Sequence, residues 1–378
     1  MTTHSAAAST NPGVLRSEIA LLGGAVTTLI LFTVGSGWVK YLDSGFAAAG
    51  LFLWLFAVML WLSFGVVRHA ECLAIKLGEP FGTLILTLAV ISIEVVMISA
   101  VMMTGKENPT LARDTMFSVV MIVLNGMLGV TLLLGGLRHH EQAYNIRGTR
   151  SYMGVLVALG ILCLILPRFT TSAPGGEPSQ LMAFYLILVS ISLYGIFLFL
   201  QSTRHSAFFK NPEEHSTEED DHGHEGLVIR SLGFHVALLI LTMLPIVLLS
   251  KKMAVVVDYG ITALGAPEPL AGFLVAILVL SPEGMAAIKA ALNNQLQRTV
   301  NIALGSGLAT IGLTVPAVLL ISEITGKPID LGLEPTGIVL LAATFMVANS
   351  TFGGNRTNIL SGAVHLVLFA TYVILIFD

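Results

Sequence analysis

The sequence predicts an all-α polytopic membrane protein with about eleven transmembrane helices: one extra N-terminal helix, then two inverted five-helix repeats. Three observations predict it. The 378 residues are 55% hydrophobic and only 11% charged, with a mean hydropathy of +0.86, whereas a soluble surface needs roughly 25% charged residues. The apolar residues gather into runs that suit a bilayer, which takes about 20 residues per helix. Finally, the segments around Glu94 and Glu283 match each other over several helices. The net charge of −4 supplies no basic field and no motif for nucleic acid, which is excluded as a partner. Cys72 and Cys163 lie in or beside apolar runs and read as buried thiols, not as a disulfide or a metal cluster.

The first span, 20–39, has too long an apolar core for a signal peptide, and no small-residue cleavage site follows Trp38, Val39 and Lys40. It reads as a retained helix within an N-terminal segment, 1–45. Spans at 46–68, 81–104, 113–136, 153–167 and 181–201 form the first repeat, 46–201. A polar linker, 202–230, leads to spans at 231–249, 271–290, 299–322, 336–352 and 358–376, the second repeat, 231–378. Two helices are expected to run past the membrane. The second continues through Arg68, Glu71 and Lys76 to a stop at Gly78, and the seventh through Lys251, Lys252 and Asp258 to one at Gly265. With loops assigned alternately, the side holding the N-terminus collects the larger share of Lys and Arg, which places it in the cytoplasm.

The repeat extends well beyond the two acids. Leu77-Gly78-Glu79-Pro80 answers Leu264-Gly265-Ala266-Pro267, and Ser92-Ile93-Glu94 answers Ser281-Pro282-Glu283. The helices that follow open with Ala112-Arg113-Asp114 and Gln297-Arg298-Thr299, and the position twelve residues after each arginine holds Asn125 or Thr310. Because each half has an odd number of spans, the halves enter the membrane from opposite sides, the architecture of secondary transporters.

An ionised side chain at the bilayer centre costs about 2.5–3.5 kcal/mol on insertion scales, so Glu94 and Glu283, each mid-helix among apolar neighbours, are expensive residues. A single such acid reads first as a site, with a packing hydrogen bond as the plainer alternative. Two at equivalent repeat positions read as an ion-binding pair that carries protons or a metal cation. Two carboxylates balance about two protons or one divalent ion, and calcium takes 6–8 oxygen ligands, so further oxygens are required. Ser92, Ser281, Asn125, Ser306 and Thr310 are candidates, as is the carbonyl of Leu278, whose helical partner Pro282 has no N–H to offer. The plain alternative for Ser306 and Thr310 is close helix packing along Gly305-Ser306-Gly307 and Gly312.

The runs Glu107-Asn108-Pro109-Thr110-Leu111-Ala112-Arg113-Asp114-Thr115, Ser281-Pro282-Glu283-Gly284-Met285-Ala286-Ala287-Ile288, Gly305 to Pro316 and Asn355-Arg356-Thr357-Asn358 closely resemble the bacterial calcium/proton antiporters of the ChaA type, within the calcium/cation antiporter superfamily. The resemblance covers nearly the whole chain after the first helix. It implies a ten-helix core of two inverted halves, Glu94 and Glu283 as the paired ion-binding acids, and a second layer on the helices of Asn125 and Ser306. It also implies an inner-membrane antiporter that needs no cofactor and takes cations and protons as substrates. Wider members of the superfamily carry a Gly-Asn pair four and three residues before each acid, where this chain has Val90-Ile91 and Val279-Leu280. Two amide oxygens are thereby missing, which leaves room for sodium and potassium beside calcium, a breadth that the ChaA type itself implies.

The linker carries Glu218, Glu219, Asp220 and Asp221 with several histidines. It reads as a solvated tether or as a cation sensor or antechamber. Glu71 reads as an ion-pair partner of Arg68 or as a lining of the cytoplasmic entrance. His235 and His365, both expected within spans, read as packing histidines or proton relays. Gly135-Gly136 and Gly353-Gly354 read as loop starts. Two other functions fit less of the sequence: a cation channel using the same acids, and an intramembrane hydrolase with Ser306 as nucleophile and His365 as base.

Overall fold

The computed structural model describes residues 17–40, 42, 44–78, 81–104, 108–173, 175–210 and 228–378. The acids of the linker, Glu218, Glu219, Asp220 and Asp221, lie outside the described residues. The helices are α1 (Ile19–Phe32), α2 (Gly45–Leu77), α3 (Phe81–Thr104), α4 (Leu111–His139), α5 (Ile146–Phe169), α6 (Gln180–Arg204), α7 (Leu232–Leu264), α8 (Pro269–Leu292), α9 (Leu296–Thr325), α10 (Pro335–Thr351) and α11 (Ile359–Phe377). Among the described residues, eight of them are long and apolar enough to cross a membrane, while the apolar helices Ile19–Phe32, Thr87–Ala100 and Pro335–Thr351 are shorter.

The expected first span divides. α1 stops at Phe32, the Gly35 amide turns back to the Ile30 carbonyl at 2.7 Å, and a short helix, Ser36–Lys40, follows. A side chain on Gly35 would begin 3.1 Å from that carbonyl, so glycine permits the tight reversal. α2 and α7 run 33 residues each, and their stops are as expected, with Gly78 at φ 64° and Gly265 at φ 71°, values that suit a residue without a Cβ.

Two apolar clusters fix where the acids sit. One joins α4, α5, α9 and α10 through residues such as Met116, Leu124, Leu156, Leu308 and Phe345. The other joins α2, α3, α7 and α8 through Leu55, Met59, Leu249 and Met253. Helices α3 and α8 lie in the seam and contribute to both: Ile91 and Ile98 face the first cluster while Ile93 and Met97 face the second, and Ala276 and Leu280 face the first while Val275 and Leu278 face the second. Gly272 brings α8 against α4 so closely that a Cβ would lie 2.6 Å from the Thr115 amide nitrogen.

Connections cross between halves at each end. Strand β1 (Gln142–Ala143), after α4, pairs antiparallel with β2 (Arg356–Thr357), before α11, with Gln142 opposite Thr357. At the opposite end the Leu331 and Gly332 amides, between α9 and α10, each donate at 3.1 Å to the Gly176 carbonyl between α5 and α6.

Candidate functional site

Glu94 projects from the middle of α3 and is 1% exposed. Burying a carboxyl group without partners costs several kcal/mol, and both of its oxygens are satisfied from one helix. Thr310 Oγ1 donates to Oε2 at 2.9 Å and Thr314 Oγ1 donates to Oε1 at 3.0 Å. Glu283, half-buried on α8, accepts a hydrogen bond at Oε2 from the Ser306 hydroxyl. Ser306, Thr310 and Thr314 recur every four residues on α9, so they share a face. A rise of about 1.5 Å per residue puts neighbouring hydroxyls on that face roughly 6 Å apart. One helix therefore bridges the acids of both halves.

The bridging stretch of α9 is not regular. Thr310–Thr314 is π-helical, and α4 has the same feature over Ile122–Met127, around Asn125. A π turn inserts one residue and commonly marks a functional position. In α9 it is followed by Pro316, which lacks an N–H.

Ser306 and Thr310, named from sequence, are thus bonded to the acids, while Thr314 was missed although it lies one turn beyond Thr310. Asn125 is fully buried but its bonds run elsewhere: Nδ2 donates to Thr344 Oγ1 at 2.8 Å, and Oδ1 lies 3.1 Å from His365 Nδ1. Ser92 and Ser281 bond the carbonyls of Leu88 and Ile277, each at 2.6 Å, the back-bonding habit of serine within helices. The Leu278 side chain is buried in the apolar cluster of α2 and α7, and Pro282 sits inside the helix as expected. Glu71 is half-buried near the end of α2. His365 bonds Asn125 and Thr351, and Ser306 bonds Glu283, so the two are not joined as a hydrolase's nucleophile and base. Among the described residues no cluster of three or more His, Cys, Asp or Glu side chains forms a metal cage. A cation held here would need the acid pair together with hydroxyl, carbonyl or water oxygens.

At the end of the bundle where α4 starts, Arg113 links the halves. It bonds Asp114 at 2.9 Å, Asp330 at 3.1 Å and the Gly332 carbonyl at 3.1 Å. Burial pushes the Asp330 carboxyl above its ordinary range, against the pull of Arg113 beside it.

A model of the family described as sodium/calcium exchanger protein matches residues 47–203 and 234–377. Over 315 residues the chain is 41% identical to the sodium-potassium/proton antiporter ChaA of Escherichia coli (strain K12), covering 83% of this chain and 85% of that one. It is 23% identical to a Ca(2+)/H(+) antiporter of Aphanothece halophytica, over 81% of this chain and 83% of that protein. Among solved structures, native YfkE superposes with a TM-score of 0.73 at 18% identity, over 96% of this chain and 99% of that one. The H+/Ca2+ exchanger CAX gives 0.68 at 16% identity, over 95% and 88%.

Proposed function

The chain belongs to the sodium/calcium exchanger protein family, and on that premise we propose that it exchanges cations for protons across a bacterial inner membrane, taking calcium first, with sodium and potassium within its range. It is a multi-pass secondary transporter and not an enzyme. Cations and protons are its substrates, and transport of this kind uses no cofactor. The printed activities of its relatives, sodium-potassium/proton and calcium/proton antiport, support the reading.

The single observation that carries it is the acid pair held by one row of hydroxyls. Glu94 and Glu283 bind either about two protons or one divalent cation, and neither form leaves net charge in the hydrocarbon. When the carboxyls are deprotonated, Ser306, Thr310 and Thr314 donate to them. When a cation enters, the same hydroxyls rotate and offer lone pairs. Because one helix serves both acids, the two sites load and unload together. The halves 46–201 and 231–378 act as inverted repeats that rock about the pair, the N-terminus lies in the cytoplasm, and Glu71 lines the entrance from that side. Driven by an inward proton gradient, the cation leaves the cell.

The test is dissipation of a preset pH gradient in sealed vesicles on adding calcium, sodium or potassium. Exchange predicts collapse of the gradient without any need for a membrane potential. A cation channel instead collapses voltage and needs no proton gradient, and that outcome overturns the proposal.

A further inference from the structure

Where the linker enters α7, four polar side chains that do not touch the acid pair form a directed chain. His69 on α2 and His235 on α7 are 1% and 2% exposed, and their Nδ1 atoms are 3.1 Å apart. The Arg230 amide donates to His235 Nε2 at 2.9 Å. His69 Nε2 lies 3.1 Å from Glu18 Oε2, which also accepts from Arg68 Nη2 at 2.6 Å.

The Arg230 amide hydrogen cannot move, and with Arg68 Nη2, the other fixed donor, 3.2 Å from His69 Nε2 but donating to Glu18 at 2.6 Å, it assigns the tautomers. His235 Nε2 accepts, so its hydrogen is on Nδ1 and donates to His69 Nδ1. The hydrogen of His69 is then on Nε2 and donates to Glu18. Both rings are neutral, and only two ring nitrogens remain bare: His235 Nε2 and His69 Nδ1. A proton on the first sets two donors face to face at Arg230. A proton on the second does the same between the rings, unless His235 shifts its hydrogen to Nε2, which again breaks the bond to Arg230. Every singly protonated state therefore opens the chain.

We propose that the His69–His235 pair is a second proton-binding site, separate from the acid pair, whose occupancy releases the N-terminus of α7 from α1 and α2. The charged groups acting on it are Glu18 beside α1, Arg68 and Lys76 of α2, and Arg230 before α7. Burial alone would raise the Glu18 carboxyl, but Arg68 and His69 together hold it below the ordinary carboxylate range. It therefore stays ionised while the histidines titrate, and the Arg68 end of the chain holds. α2 and α7 pack against each other along their lengths and support α3 and α8, so release at this point reaches the helices that carry the acids.

The test is amide hydrogen exchange of residues 228–235 in the full chain, corrected for intrinsic rates, across roughly pH 8 to 4, carried below the ordinary range of histidine because protonation here breaks hydrogen bonds. Protection falls roughly tenfold on acidification in wild type, the factor that one or two lost hydrogen bonds supply. His235→Gln keeps an acceptor and a donor but cannot take the proton, and its protection stays flat. His69→Gln leaves His235 Nε2 free to be protonated and keeps the fall, which also shows that the region tolerates substitution. A flat wild-type profile, or an equal fall in His235→Gln, overturns the proposal. The readout is backbone protection, so it stands apart from the cation reading, and Glu94→Gln gives the wild-type profile.

Discussion

Glu94 and Glu283 hold equivalent places in their helices and have unlike surroundings. Glu94 is sealed, with each oxygen held by a threonine from the opposite half. Glu283 is half-buried and takes one serine from its own half. The helices beside them differ in the same way. α9 lends three hydroxyls to the acids, whereas the residue of α4 that answers Thr310, Asn125, is committed to Thr344 and His365. A near-symmetric sequence thus holds an asymmetric site. That is what one of two alternating states requires, because a site satisfied equally from both halves would favour neither direction.

Neutralising each acid in turn breaks the comparison most severely. Glu94→Gln and Glu283→Gln each abolish measurable calcium/proton exchange in vesicles, despite their different burial, because one remaining carboxylate cannot balance a divalent ion. Activity in either variant would mean that the acids do not act as a pair.

The paired arginines give the next largest difference. Arg113 is buried among Asp114 and Asp330, whereas Arg298, its counterpart at the start of α9, is exposed. Arg113→Ala leaves buried carboxylates unpaired and lowers stability by about 3–5 kcal/mol. Arg298→Ala changes it by less than about 0.5 kcal/mol. Thermal unfolding in detergent separates the two.

The hydroxyl row sharpens the contrast. Hydrogen bonds to charged groups contribute about 1.5–3 kcal/mol each, so Thr310→Val or Thr314→Val raises the half-saturating cation concentration roughly 10- to 100-fold. Losing the hydroxyl removes a cation ligand and also favours the protonated acid, and both effects weaken cation binding at fixed pH. Ser306→Ala has a smaller effect, under about tenfold, because water reaches the more open Glu283 and replaces the bond. Thr344→Val lowers stability by about 1 kcal/mol and leaves cation half-saturation unchanged, since it touches the Asn125 network and not the acids.

The place of the two acids amid the spans was legible because a charged residue among apolar neighbours is costly and because the repeat supplied a second copy. Ser306 and Thr310 followed from their spacing, and the same spacing carried one turn further reaches Thr314. The fate of Asn125 was not legible. Its partners lie 219 and 240 residues away, and no local pattern says which of several buried acceptors an amide will meet. The π turns in α4 and α9 have no composition of their own, so nothing marked them. The helix stops at Gly78 and Gly265 were read correctly, whereas the break after Phe32 was not, although Gly35-Ser36-Gly37 interrupts the apolar run there.

The central claim is that one pair of carboxylates trades protons for a cation. The most direct measurement is the number of protons released per cation bound by purified protein in weakly buffered detergent solution. The account predicts about two protons per calcium, by charge balance at a two-carboxylate site, and none in the Glu94→Gln, Glu283→Gln double variant. Cation binding by wild type without proton release would contradict it.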